Sequence, residues 1–163
     1  MGIITMVKNI KQIHDKEVLF IKIGKFYYCY GRDSYIISYF FDYKLNFVEN
    51  TYSCGFPSQS LSKVLSKLES CKISYLIADR KDNYEIDTHE NFKNLNNYEK
   101  YYKKAKEEIG LKIRIEKIRK YLLKTMDSRI LWNKVKANWD MDGMVYYIVK
   151  ENYPYEIKLM KIW

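Results

Sequence analysis

Two histidines, three cysteines and one dense run of carboxylates are the side chains in this sequence best suited to catalysis or metal binding. Such groups act only when they converge: a nucleophile needs a base within reach, and a metal needs several ligands at once. His14 and His89 stand far apart in sequence, each in polar surroundings near the end of an element, and a surface role is expected for both. Cys54 precedes Gly55-Phe56-Pro57, but no base is identifiable for its thiol, so it reads as structural. Cys29, Cys54 and Cys71 are odd in number and form no Cys-x-x-Cys pair. That pattern argues against a disulfide scaffold or a zinc site and for a reducing, cytoplasmic setting. Asp79, Asp82, Glu85 and Asp87 form the one acidic run that could hold a catalytic metal; with Arg80-Lys81 inside it, the run reads as a solvated loop. No nucleotide-binding P-loop, dinucleotide fingerprint, zinc-protease helix or serine-hydrolase elbow occurs. The expectation is no catalytic residue, no metal and no cofactor, which leaves an enzyme as the weakest class.

The chemistry that remains is binding chemistry. Among 163 residues, 29 Lys and Arg oppose 20 Asp and Glu, a net charge of +9, and aromatic residues reach 17% with 17 tyrosines. A basic chain of this size fits a polyanionic partner. The charge is uneven: residues 1–90 carry 12 basic and 11 acidic groups, whereas 91–124 carry 11 and 4. Lys103, Lys104, Lys112, Arg119, Lys120 and Lys124 are the candidate phosphate ligands. Tyr98, Tyr101, Tyr102 and Tyr121 lie among them as candidate stacking groups.

Apolar spacing supplies the elements that would carry these residues. A short helix is expected over 5–14, strands over 17–23 and 26–30 joined at Gly24-Lys25, and a helix over 34–42 capped by Asp33. Residues 45–52 read as one strand and Cys54-Gly55-Phe56-Pro57 as a turn. Ser58 or Ser60 then caps a helix whose Leu61, Val64, Leu65 and Leu68 form an apolar stripe. A strand over 72–78 follows. The order is α-β-β-α-β-α-β, an α/β or α+β domain over 1–87 with a mixed sheet flanked by helices. Residues 88–97 are polar and read as a linker. The segment 98–127 is helical in composition and divided at Gly110, with Leu111, Ile115, Ile118 and Leu122 on one face. Residues 143–163 hold two β-rich runs around Asn152-Tyr153-Pro154, read as a terminal hairpin of a basic helical extension over 88–163, either a domain of its own or packed on the first, where the hairpin could add strands to the first sheet. Trp132, Trp139 and Trp163 point to a core in that last third.

Two segments together carry a family resemblance. The first runs from His14 to Asp33 and centres on Gly24-Lys25-Phe26-Tyr27-Tyr28; the second is Cys54-Gly55-Phe56-Pro57-Ser58-Gln59-Ser60-Leu61, followed by Val64, Leu65 and Leu68 and a strand ending at Ala78. In order and spacing they resemble the N-terminal mismatch-recognition domain of the MutS DNA mismatch-repair proteins, over about residues 10–85. The resemblance implies a MutS domain I-like fold. It also implies a site, because the family motif is Phe-x-Glu. Its Phe wedges into the minor groove at a mispaired base, where unstacking costs least, and its Glu accepts a hydrogen bond from that base. Phe26 stands at the Phe position and Tyr28 at the Glu position, so the acceptor carboxylate is replaced by a phenol. Alternation along the strand puts Tyr27 and Cys29 on the other, inward face. The family's connector, clamp and ATPase domains are not expected within the 76 residues after position 87.

The expected function is a non-catalytic nucleic-acid-binding accessory protein. The layout is similar to that of small MutS-like proteins that accompany a retroelement reverse transcriptase and its RNA or cDNA, which makes a reverse transcriptase a further expected partner. Two alternatives stay open: a protein-interaction module that docks a polymerase or another protein, and a mismatched-DNA binder that uses Phe26. DNA and RNA are both open as ligands, as is self-association into a homo-oligomer. The opening MGIITMVKNIKQ has only a five-residue apolar stretch and no run approaches a membrane span, so neither a leader nor membrane insertion is expected.

Overall fold

A computed structural model describes the fold of residues 2–125, with side chains through Lys120 apart from Ile118. Residues 2–109 belong to one compact unit, and a second begins at Gly110. The elements are α1 (Ile3–Ile13), β1 (Val18–Ile23), β2 (Phe26–Tyr30), α2 (Arg32–Phe41), β3 (Leu45–Val48), β4 (Thr51–Pro57), α3 (Leu61–Ser70), β5 (Tyr75–Asp79), β6 (Glu85–Glu90) and α4 (Leu95–Thr125). The six strands form one sheet in the order β3-β4-β2-β1-β5-β6. β1 and β5 run parallel, and every other neighbouring pair is antiparallel. This is the mixed sheet with helices expected from the sequence.

The two faces of the sheet are sorted by strand alternation. Val18 and Phe20 of β1, Tyr27 and Cys29 of β2, Cys54 and Phe56 of β4, and Tyr75 and Ile77 of β5 point to one side. There they pack with Ile36 and Ile37 of α2, Val64 and Leu68 of α3, and Tyr98 and Ala105 of α4. Leu19, Ile21, Leu76 and Ala78 point to the other side and meet Val7, Ile3 and Ile10 of α1. The inward placement of Tyr27 and Cys29 agrees with the sequence reading.

Several local readings change. Residues 45–57 are not a strand and a turn but a hairpin, β3 and β4, closed at Glu49-Asn50. Both residues have positive φ, 48° and 61°, the geometry of the tight turn that matches strand twist. Asn tolerates that region well and Glu poorly, so the pair gives a weak signal in sequence. Cys54-Gly55-Phe56-Pro57 lies inside β4, paired residue for residue with β2. The stretch 88–97 holds the end of β6 and the start of α4, not a linker alone. Asp33 is not a cap: α2 begins at Arg32, Gly31 precedes it with φ 59°, and the Asp33 side chain turns inward. Neither Ser58 nor Ser60 caps α3 through its side chain; Ser58–Ser60 instead form a single 3-10 turn that leads into it. Gly110 does not interrupt α4. The terminal hairpin over 143–163 and the three tryptophans lie outside the described residues. Among those residues no helix is long and apolar enough to cross a membrane.

Asp33 is the polar centre of the first unit. Its carboxylate accepts hydrogen bonds from the Leu19 amide of β1 at 3.0 Å, the Lys11 ammonium of α1 at 2.9 Å and the Tyr98 hydroxyl of α4. Asp33 and Tyr98 are both buried. A buried carboxylate needs such partners, and the N-terminal turn of α2 adds favourable peptide dipoles. Burial, then the neighbouring Asp33 charge, push the Tyr98 phenol far above its ordinary pKa, so it remains a donor at any physiological pH.

Candidate nucleic-acid interface

β2 carries the first candidate residues. It lies between β1 and β4, and its Phe26, Tyr28 and Tyr30 share the α1 side of the sheet. α1 covers only part of that side: Tyr30 packs against its cluster, whereas Phe26 at the other end of the strand is 45% exposed. Tyr28 is half-buried between them. The Phe26 and Tyr28 ring centroids are 6.2 Å apart with a 33° tilt. The strand thus holds two neighbouring aromatic faces, as the spacing of 26 and 28 predicts.

Two features fix this pair. Gly24, with φ 61°, supplies the first residue of the two-residue β1–β2 turn. The turn is tied to the end of β4 by the Ser58 amide, which donates to the Lys25 carbonyl at 2.9 Å. The second feature is Gly55, directly across from Tyr28 in β4. A Cβ at Gly55 would lie 2.6 Å from Tyr28 Cε1 and 2.7 Å from Cδ1, so the Tyr28 ring occupies the space of the side chain that Gly55 lacks. Sequence reasoning treated Gly55 as a turn residue; its role is instead to seat a ring. Pro57 pairs with Phe26 at the same edge of the patch and is exposed.

On the opposite side, Tyr27 stacks on Phe56 with centroids 5.9 Å apart, which anchors the strand from behind. Next along the open side, burial raises the Tyr30 phenol to about 12, so it presents a neutral hydroxyl.

The basic residues lie on α4, whose first turns pack through Tyr98 and Ala105 on the side of the sheet opposite Phe26 and Tyr28, so the first unit does not bring the two candidate sets together. Lys103 and Lys104 are exposed in the first unit, and the Lys104 ammonium sits 5.5 Å from the Tyr101 ring centre. Lys112 and Lys120 are exposed in the second unit. Arg119 pairs with Glu116 at 3.3 Å, a helical i,i+3 contact that partly spends its charge. The Lys124 side chain lies outside the described residues, as does that of Tyr121. The other tyrosines interleaved with these lysines are not a free stacking platform. Tyr98 is buried on Asp33, Tyr102 stacks on Tyr35 at 6.3 Å, and Tyr101 meets Phe40 edge-on at 5.2 Å. The Arg32 guanidinium lies over Tyr102 at 4.1 Å and makes a two-bond contact with Glu99 at 2.8 Å. Aromatic content in α4 therefore serves to dock its first turns on α2, the helix that follows the far end of β2.

Sequence reasoning also missed a meeting of side chains. His14 and His89 come together on Glu17, with ring centroids 5.3 Å apart. Their separation in sequence hides this; only the pairing of β6 with β5, and of β5 with β1, brings the two ends into one corner.

A mixed six-stranded sheet with helices on both faces, and with the Phe26 ring exposed on an inner strand, is an α/β domain. Comparison with protein families makes the assignment specific. The family model for MutS domain I matches residues 1–95, more than half of the chain, and the chain belongs to that family. In that family, domain I is the non-catalytic mismatch-recognition domain of DNA mismatch repair. No curated protein matches the chain.

Proposed function

We propose that this chain is a non-catalytic nucleic-acid-binding protein in which Phe26 and Tyr28 touch bases on one side of the sheet, with the basic side chains of α4 as separate phosphate contacts. The observation that carries the reading is the exposed Phe26 ring, held on a braced turn beside Tyr28 in a MutS domain I fold. An apolar ring so placed can enter a base step. The step must unstack, at a cost of a few kcal/mol that is least where pairing is already faulty. Tyr28 offers a hydroxyl that both donates and accepts, where a carboxylate would only accept. Discrimination of a mispaired base edge is therefore weaker than with a charged acceptor, and stacking carries more of the affinity. Lys103, Lys104, Lys112, Arg119, Lys120 and Lys124 would add a salt-sensitive term without sequence choice.

Assistance to a retroelement reverse transcriptase, on its RNA or its cDNA, is the narrower form of this proposal; its support is the layout of a recognition domain followed by a basic helix. A second reading, a protein-docking module, is favoured by a different observation. β3 is a sheet edge, and its Phe47 and Val48 are 62% and 48% exposed. Fluorescence anisotropy with matched duplex, mismatched duplex and structured RNA, at two salt concentrations, separates the two. A nucleic-acid surface loses affinity with a log–log slope of about −0.9 per phosphate neutralised on duplex DNA. Phe26→Ala should weaken binding and erase any preference for the mismatch. No binding to any nucleic acid at low salt would sink the first reading and leave the second.

A further inference from the structure

We propose that His14, Glu17 and His89 form a binding site for a divalent transition metal of the zinc class. The three donors come from three places: the residue that ends α1, the residue that precedes β1, and edge strand β6. Glu17 is only 4% exposed, an unusual place for a carboxylate. Its two oxygens divide between the imidazoles, with His14 Nδ1 at 2.5 Å from Oε2 and His89 Nε2 at 2.8 Å from Oε1. The rings stand at 83° to one another, so their nitrogen edges converge on the carboxylate instead of stacking. One ligand atom from each residue lies within 4.8 Å of the others.

That geometry is close to a coordination sphere. Zinc holds imidazole nitrogen at about 2.0–2.1 Å and carboxylate oxygen at about 2.0–2.2 Å, which puts its ligands roughly 3.4 Å apart. Rotation of the partly buried His14 ring and the exposed His89 ring would close the difference. Two imidazoles and a carboxylate suit zinc and its neighbours, whereas magnesium and calcium want an all-oxygen shell. Without the metal, each imidazole turns an N–H toward Glu17. With it, those nitrogens present lone pairs, and any imidazolium proton is released to solvent. The groove in front of the cluster is also lined by Asp15, Lys16 and Asn91, and a fourth, exchangeable ligand would enter from it. The consequence is mechanical. All six residues of β6 are exposed, and the metal would pin this edge strand to the α1–β1 corner.

The test uses the full chain, stripped with chelator and dialysed. Zinc and, separately, cobalt are titrated, with the metal content of the recovered protein and the melting midpoint as readouts. One equivalent should bind. Cobalt should give the intense visible bands of a four-coordinate nitrogen–oxygen site, and the midpoint should rise by several degrees. His89→Ala leaves the core intact because it lies on an exposed strand, and it should weaken binding on the order of a hundredfold or more; Glu17→Gln should act likewise. The chain has no third histidine, so retained histidine-type cobalt bands in His89→Ala would overturn the site. So would failure of the unmutated chain to bind zinc at tens of micromolar, or binding that persists in His89→Ala and disappears in Cys71→Ser. Nucleic-acid affinity is not a readout, so this proposal stands or falls apart from the function proposed above.

Discussion

Replacing Asp33 with alanine should cost the first unit about 3–5 kcal/mol, because one carboxylate ties three elements together. The wild-type side chain accepts from the Leu19 amide, the Lys11 ammonium and the Tyr98 hydroxyl. Leu19 and Tyr98 are at most 1% exposed, so neither donor can turn to bulk water when the acceptor is gone. Each orphaned buried donor costs about 1–3 kcal/mol, and a broken buried ion pair about 3–5 kcal/mol. The terms overlap, because Lys11 is 19% exposed and recovers part of its hydration, so the total stays near the range for one broken pair. Urea denaturation followed by tyrosine fluorescence reads this directly. With a slope of about 2 kcal/mol per molar, the midpoint should fall by roughly 2 M. Tyr98→Phe removes one hydrogen bond to a charged acceptor and opens no cavity, so it should cost about 1.5–3 kcal/mol. In the Asp33→Ala background the same change should cost far less, since its partner is already missing. A midpoint shift under about 0.5 M for Asp33→Ala, or full additivity of the two changes, would refute the account.

Gly55→Ala should displace the Tyr28 ring from its seat, lower nucleic-acid affinity in the same direction as Tyr28→Ala, and shift the melting midpoint only slightly; unchanged affinity in both variants would show that the ring takes no part. Lys103→Glu combined with Lys104→Glu should reduce the slope of log affinity against log salt by about 2 if both lysines neutralise phosphates. The Tyr75 phenol is raised to about 12, first by burial and then by its hydrogen bond to Glu69. Its neutral form is thus favoured in the folded state. The resulting stability is complete below the unfolded value near 10 and is lost as pH rises from there toward 12. Melting midpoints should fall across that window and fall less steeply in Tyr75→Phe, which a pH series with 295 nm absorbance would check.

What could be read from the sequence was what local spacing encodes. The β1 and β2 strands, the apolar stripe of α3 and the outward pairing of Phe26 with Tyr28 all follow from periodicity. The family followed from two motifs in the right order. What could not be read depends on partners distant in the chain. Asp33 looks like a helix cap in sequence because Asp before an apolar stripe usually is one; its buried role requires knowing that Lys11 and Tyr98 arrive at the same point. β6 reads partly as a solvated acidic loop and partly as linker because Glu85–Glu90 is almost wholly polar, and it is a strand by virtue of hydrogen bonding to β5. The β3–β4 hairpin is hidden because its turn uses Glu49-Asn50 in place of a glycine. His14 and His89 meet through two strand pairings that no local window contains.

The docking of α4 on α2 has a consequence for modularity. The family match ends at residue 95, yet Tyr98 and Ala105 fill the same core as β1, β2 and β5. The reach of the family match and the reach of the compact first unit therefore differ here by about four turns of helix. A fragment cut at the family boundary would expose the flank of α2 and strand the Asp33 carboxylate with one donor fewer. A fragment of residues 1–95 should therefore be less stable than one of residues 1–109, which the melting midpoints of the two would check. The first turns of α4 form one wall of the core, and the Asp33 cluster depends on them.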